Sequence, residues 1–283
     1  MSELFPPVDH QSVKSGHRFK RLRAVPFRVV LPNLVTLLSL CAGLTAVRMG
    51  LEGRWEWAVG AVALAAILDG IDGRVARWLK GTSKFGAELD SLADFVNFGV
   101  APVLMLYLWM LQLHPSFGWL AVLAFSMAMA LRLARFNVMS EKPLLNWQKD
   151  YFTGMPAPAA ALNALLPLYI NTVIEIPHTG AVALIIAAYV VFIAFMMVST
   201  IPTYSGKTIG ARIPRERVIP MSVGFVLIVA ALISYPMQIL ALVSIAYLAY
   251  IPFGWHRYNQ LARLSTPTVE QESDADMETE SEA

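Results

Sequence analysis

Residues 69–94 read DGIDGRVARWLKGTSKFGAELDSLAD and place Asp69, Asp72, Asp90 and Asp94 between two strongly apolar segments. Neither histidine nor cysteine stands among them. Carboxylates alone make an all-oxygen ligand set, which selects hard divalent ions such as Mg²⁺ or Mn²⁺, or Ca²⁺, over zinc. Two such ions a few ångströms apart suit displacement at phosphorus. Asp69 and Asp72 are three apart and Asp90 and Asp94 four apart, so each pair shares one helical face. Four carboxylates brought together at one membrane depth cannot all stay ionised unless cations neutralise them. The alternative is a set of helix-end acids, solvated or paired with Arg74, Arg77 and Lys84.

Small residues line the same stretch: Gly70, Gly73, Ala76 and Gly86. Glycine admits a second backbone or a ligand at close range, and small residues also serve plain helix packing in membranes. Arg77 and the turn GTSK (81–84) offer a cation, hydroxyls and amides to a phosphate.

The elements that position these groups are membrane helices. The chain has 283 residues, is 57% hydrophobic and only 15% charged, which excludes a soluble domain. Eight apolar runs approach the roughly 20 residues a spanning helix needs, at about 31–51, 55–78, 86–112, 117–138, 156–174, 180–200, 219–234 and 237–255. The acids then sit at facing ends of the second and third runs, a helical hairpin. With eight spans, all of the 22 Lys and Arg residues except Arg48 and Arg54 fall on the side of the tails. The positive-inside rule makes that side cytoplasmic, together with the longer, more polar links.

Three regions follow: a basic N-terminal arm (1–28), a transmembrane catalytic domain (29–257) and an acidic tail (258–283) expected to be disordered. The arm either lies on anionic headgroups or only sets topology. No cleavable signal peptide is visible. Cys41 has no partner for a disulfide, and the scattered histidines lack metal-ligand spacing. Trp55, Trp57, Trp109, Trp119 and Trp147 fit interfacial positions.

The pattern D-x₂-D-G-x₂-A-R-x₈-G-x₃-D-x₃-D is complete here in Asp69, Asp72, Gly73, Ala76, Arg77, Gly86, Asp90 and Asp94. It resembles the signature of the CDP-alcohol phosphatidyltransferases. The resemblance implies an all-α, polytopic integral membrane protein with about eight transmembrane helices and the fold of that family. It implies that the four aspartates bind a divalent metal, Mg²⁺ or Mn²⁺, and that Asp94 is also the general base. Gly73, Arg77, Gly86 and a turn hydroxyl, Ser83 by position, would contact the CDP-lipid. An upstream P-N-x-x-T element, with Asn33 and Thr36, would sit near its cytidine.

SLADFVNFGVAP (91–102), RLARFN (132–137), FTGMPAPAAA (152–161) and MVSTIPTYSGK (197–207) resemble the bacterial, membrane-embedded phosphatidylserine synthases of that family. Those members pass the phosphatidyl group of CDP-diacylglycerol to L-serine and release CMP. The resemblance implies a multi-pass inner-membrane enzyme, a homodimer, with both termini and the active site cytoplasmic and no nucleic-acid partner. Arg132 and Arg135, three apart near a helix end, would meet the serine carboxylate, or else pair with the motif aspartates or a lipid phosphate. Asn137 and Lys207 are further candidates for that pocket, Lys207 equally readable as a topogenic charge. Other acceptors, glycerol 3-phosphate or inositol phosphate, would use the same chemistry. A cation transporter would instead spread its acids through the membrane depth.

Overall fold

A computed structural model describes residues 27–139, 151–199, 202–204 and 215–265. Most of the basic arm, the end of the acidic tail, Trp147 and Lys207 lie outside the described residues. The architecture is helical. Helix α1 spans Phe27–Leu51 and α2 Trp55–Trp78. Helix α3, Lys84–Asp94, continues through a π-helical turn, Phe95–Val100, into α4, Ala101–Trp109. Then come α5 (Pro115–Met139), α6 (Ala157–Ala164), α7 (Leu166–Asn171) and α8 (Gly180–Val198). Helices α9 (Arg215–Ser234) and α10 (Pro236–Ser265) follow, the latter running past residue 257. Two short antiparallel strands, β1 (Tyr151–Thr153) and β2 (Pro202–Tyr204), pair Phe152 with Thr203.

The packing is that of a protein in lipid. Buried positions on α2 are small, Ala58, Val59, Val62 and Ala65, and α1 lies against them. With lipid as apolar as leucine, helices associate by such close packing. On α8, Ala183, Ile186, Ala187, Val190, Ile193, Ala194 and Met197 form a 3–4 stripe, and α5 packs on this helix. Large apolar side chains point outward instead: Ile185 is 68% exposed, Phe195 65% and Ile233 77%. No water-soluble monomer presents so much apolar surface.

Five described helices are long and apolar enough to cross a membrane: Arg28–Leu51, Lys84–Trp109, Pro115–Val138, Gly180–Val198 and Pro236–Trp255. The other three runs of the expected eight fall short for visible reasons. The α2 run carries four charges near its end, Asp69, Asp72, Arg74 and Arg77. The fifth run is broken at Leu165, between α6 and α7, just ahead of Pro167. The seventh holds only Val218–Ser234 as a short apolar stretch.

The α2–α3 turn is closed by two main-chain bonds, Lys80 N–H to Arg77 O at 3.2 Å and Gly81 N–H to Ala76 O at 2.9 Å. This is a Schellman ending, in which the first residue past the helix takes left-handed backbone and is usually glycine. Here it is Lys80, with φ of 50°. Lys80→Gly is therefore expected to stabilise the fold by roughly 0.5–1 kcal/mol. A thermal melt of the purified protein checks it, and an unchanged or lower midpoint would count against this account of the turn. Ser83, extended at φ −137° and ψ 153°, then caps α3 by accepting from Gly86 N–H.

Candidate metal and phosphate site

The hairpin turn brings the acids of α2 and α3 face to face. Ligand oxygens of Asp69, Asp72 and Asp90 lie within 4.8 Å of one another, close enough to share one cation. Asp94 stands outside that trio but beside it, its carboxyl close to that of Asp69. Asp72 is buried, only 4% exposed, and Thr36 of α1 donates to its Oδ2 at 2.6 Å. One carboxylate oxygen is thereby aimed by a neighbouring helix.

A divalent ion fits this donor set. Oδ1 of Asp90 and Oδ1 of Asp94 are shielded from solvent and accept no hydrogen bond among the described residues. A buried acceptor left without a donor is destabilising, and a bound cation supplies what these two oxygens lack. Nor do the acids form ion pairs with Arg74, Arg77 or Lys84 among the described residues. That counts against the ion-paired form of the alternative, though not against a solvated one.

Beside the acids opens a cleft of about 180 Å³, with Asp72 and Asp90 in its wall. Asn33 and Thr36 of α1, Gly73 and Arg77 of α2, Ser83 of the turn and Gly86 of α3 complete it. All six residues expected to hold the CDP-lipid therefore line one cavity. Two glycines shape it. A Cβ on Gly86 would stand 2.8 Å from Asn33 Oδ1, so α1 and α3 meet there. A Cβ on Gly73 would stand 3.5 Å from Arg77 Nη1, which folds back over it. Gly70, by contrast, is exposed, with nothing within 4 Å of an added Cβ, and is absent from the cleft wall.

The candidate acceptor residues divide. Arg132 is buried, 8% exposed, and sits within electrostatic reach of Asp94 and of Tyr247 on α10. Arg135 caps a helix end: its guanidinium donates to Val198 O at 2.8 Å and to Met197 O and Ser199 O at 3.4 Å. The last carbonyls of α8 have no intrahelical partner and favour a cation there. Asn137 Nδ2 donates to Ser91 Oγ at 3.1 Å, tying α5 to α3 next to Asp90. Three residues that the motif does not include also belong to the surroundings: Tyr247, Ser39 and Asn97. None carries a spacing signal, because each matters through a contact between distant segments.

The family model for CDP-alcohol phosphatidyltransferase matches residues 29–200. The chain belongs to that family. A second model, CDP-alcohol phosphatidyltransferase 2, matches residues 216–252. A CDP-diacylglycerol–serine O-phosphatidyltransferase of Mycobacterium leprae (strain TN) is 37% identical over 85% of this chain and 79% of its own. That of Mycobacterium tuberculosis (strain ATCC 25618 / H37Rv) is 37% identical over 83% and 81%. One from Helicobacter pylori (strain ATCC 700392 / 26695) is 36% identical over 60% and 70%. The matched region contains the whole hairpin, the cleft and the Arg132–Asn137 segment.

Proposed function

We propose that this CDP-alcohol phosphatidyltransferase transfers the phosphatidyl group of CDP-diacylglycerol to L-serine, giving phosphatidylserine and CMP. The observation that carries the reading is the meeting of Asp69, Asp72 and Asp90, with Asp94 at their side, beside a cleft lined by Asn33, Thr36, Gly73, Arg77, Ser83 and Gly86. The names of the relatives support serine as the acceptor.

Asp69, Asp72, Asp90 and Asp94 would hold the divalent metal, Mg²⁺ or Mn²⁺. When bound, the metal supplies positive charge to the diphosphate oxygens and to the departing CMP. Arg77 and the Ser83 hydroxyl hold phosphate oxygens away from the acids, and Gly73 and Gly86 leave room for the diphosphate. Asn33 and Thr36 border the cytidine. Arg132 receives the serine carboxylate; Arg135, by holding the end of α8, and Asn137, by holding α3, frame that pocket, and Lys207, outside the described residues, is a further candidate for it. Asp94 takes the proton of the serine hydroxyl. The oxygen then attacks the β-phosphorus, and the bond from that phosphorus to the bridging oxygen breaks to release CMP. The site faces the cytoplasm at the inner membrane, both termini lie on that side, and the enzyme works as a homodimer.

Purified protein given CDP-diacylglycerol, Mn²⁺ or Mg²⁺, and one acceptor at a time tests the reading. CMP release with serine, and not with glycerol 3-phosphate or inositol phosphate, is the expected result. Release with another acceptor alone would overturn the serine assignment, and none with any would overturn the transferase. Thr36→Val removes the hydroxyl on Asp72 at nearly constant volume. It is expected to raise the Mn²⁺ needed for half-maximal CMP release roughly ten- to a hundredfold, and an unmoved midpoint would take Thr36 out of the site.

A further inference from the structure

The helix that delivers Asp90 and Asp94 does not continue as an α-helix. Directly after Asp94 the chain enters the π-helical turn Phe95–Val100, whose bonding pattern is visible in Ala101 N–H donating to Val96 O. Such a turn holds one residue more than the α-helical turn it replaces and leaves backbone groups to be satisfied from outside. The turn is held by specific contacts on two sides, one of them to its backbone. On one side Asn97, fully buried, donates from Nδ2 to Ser39 Oγ at 2.9 Å. Ser39 passes its own proton to Ala65 O of α2, also at 2.9 Å. On the other side Ser126 of α5 donates to Gly99 O at 2.9 Å.

The fit around Asn97 is tight. A Cβ on Gly43 would stand 2.0 Å from Asn97 Oδ1 and 3.1 Å from Asn97 Cα, so α1 touches the turn through a bare backbone. Thr36, Ser39 and Gly43 are spaced by three and four and lie on one face of α1. That face therefore grips Asp72 and the α2 backbone on one hand, and the continuation of α3 on the other. Were the turn to relax to α geometry, α3 would rotate about 100° against α4, carrying Asp90 and Asp94 off Asp69 and Asp72.

We propose that the π-helical turn sets the rotational register of the acid site, and that Asn97, through its bond to Ser39, is a positioning residue for the divalent ion. The inference rests on the metal reading above. Outer partners of metal ligands typically contribute ten- to a hundredfold in affinity, and Asn97 acts in that way on two acids at once.

Mn²⁺ binding to purified, metal-stripped protein, followed by the electron paramagnetic resonance signal of free Mn²⁺, is the test. Wild type, Asn97→Ala and Ser39→Ala are compared, with thermal melts and CMP release as a function of Mn²⁺ beside it. Expected is a roughly tenfold or larger loss of Mn²⁺ affinity in both variants, with most of the CMP release restored at saturating Mn²⁺. The Asn97→Ala/Ser39→Ala double variant should be no worse in Mn²⁺ affinity than Ser39→Ala alone, since Ser39→Ala already removes the bond to Asn97 along with its own bond to Ala65 O. A purely structural role would lower the melt and the amount of folded protein while leaving affinity unmoved, and that result overturns the proposal. Ser39→Ala, which deletes a single oxygen, decides the matter if Asn97→Ala fails to accumulate. Wild type that binds no Mn²⁺ would sink the metal reading itself, a failure distinct from that of Asn97.

Discussion

Asp94→Asn is expected to lower CMP release by roughly 10²–10⁴-fold while CDP-diacylglycerol still binds. The substitution keeps the shape of the side chain and removes its capacity to accept a proton as a base. Asp94 is singled out by position. Asp69, Asp72 and Asp90 converge on one point, whereas Asp94 stands to the side, against Asp69 and within reach of Arg132. An oxygen of Asp94 with no hydrogen bond, beside the cation proposed for the serine carboxylate, is where an incoming hydroxyl would deliver its proton. Titrating Mn²⁺ separates the two roles given to this residue. If Asp94 were a metal ligand only, high Mn²⁺ would restore turnover. Persistent loss at saturating metal, with the CDP-lipid still binding, is the outcome that the base requires, and normal turnover would remove Asp94 from the mechanism.

The second large effect is expected from a single methyl group. A Cβ on Gly81 would stand 2.0 Å from the carbonyl oxygen of Arg28 and 2.7 Å from its carbon. Those are main-chain atoms and cannot swing away, so Gly81→Ala must push the turn off the start of α1. Overpacking of this kind costs about 1–3 kcal/mol. It also parts the walls of the cleft, because Asn33 and Thr36 ride on α1 and Ser83 and Gly86 follow Gly81. A fall in melting temperature together with at least a tenfold rise in KM for CDP-diacylglycerol is the expected pair of results, about the discrimination that a 1.4 kcal/mol misfit produces. Gly70→Ala is the control. With open space around its Cβ it should leave activity intact and, by helix propensity, stabilise α2 by up to about 1 kcal/mol. Equal behaviour of the two variants would contradict the close approach of turn and helix.

What was legible in advance was whatever repeats with the period of a helix or belongs to the motif. Asp69 with Asp72, and Asp90 with Asp94, share faces by spacing alone, and a hairpin is the simplest way to bring the pairs together. The six cleft residues came from the family pattern, and they do line one cavity. The span count was harder because the charges of the motif dilute the apolar signal of α2, and a break at Leu165 divides another run. Arg135 read as a substrate contact because a cation near a helix end invites an anion. The uncapped carbonyls of α8 that it serves lie more than sixty positions later in the chain. The π-helical turn was invisible, since FVNFGV carries no proline, charge or spacing that marks a wide turn. The contacts that hold it, Asn97 to Ser39 and Ser126 to Gly99, are ones that only the assembled helices create.

The Thr36 hydroxyl lies 2.6 Å from Asp72 but also 3.1 Å from Pro32 O, one turn back in its own helix. An isolated α1 in lipid can fold that hydroxyl onto its own carbonyl and so enter the bilayer without an unsatisfied polar group. With α2 in place, the hydroxyl has the shorter bond to the acid. Docking of α2 would thus exchange a local bond for an interhelical one and secure the aspartate.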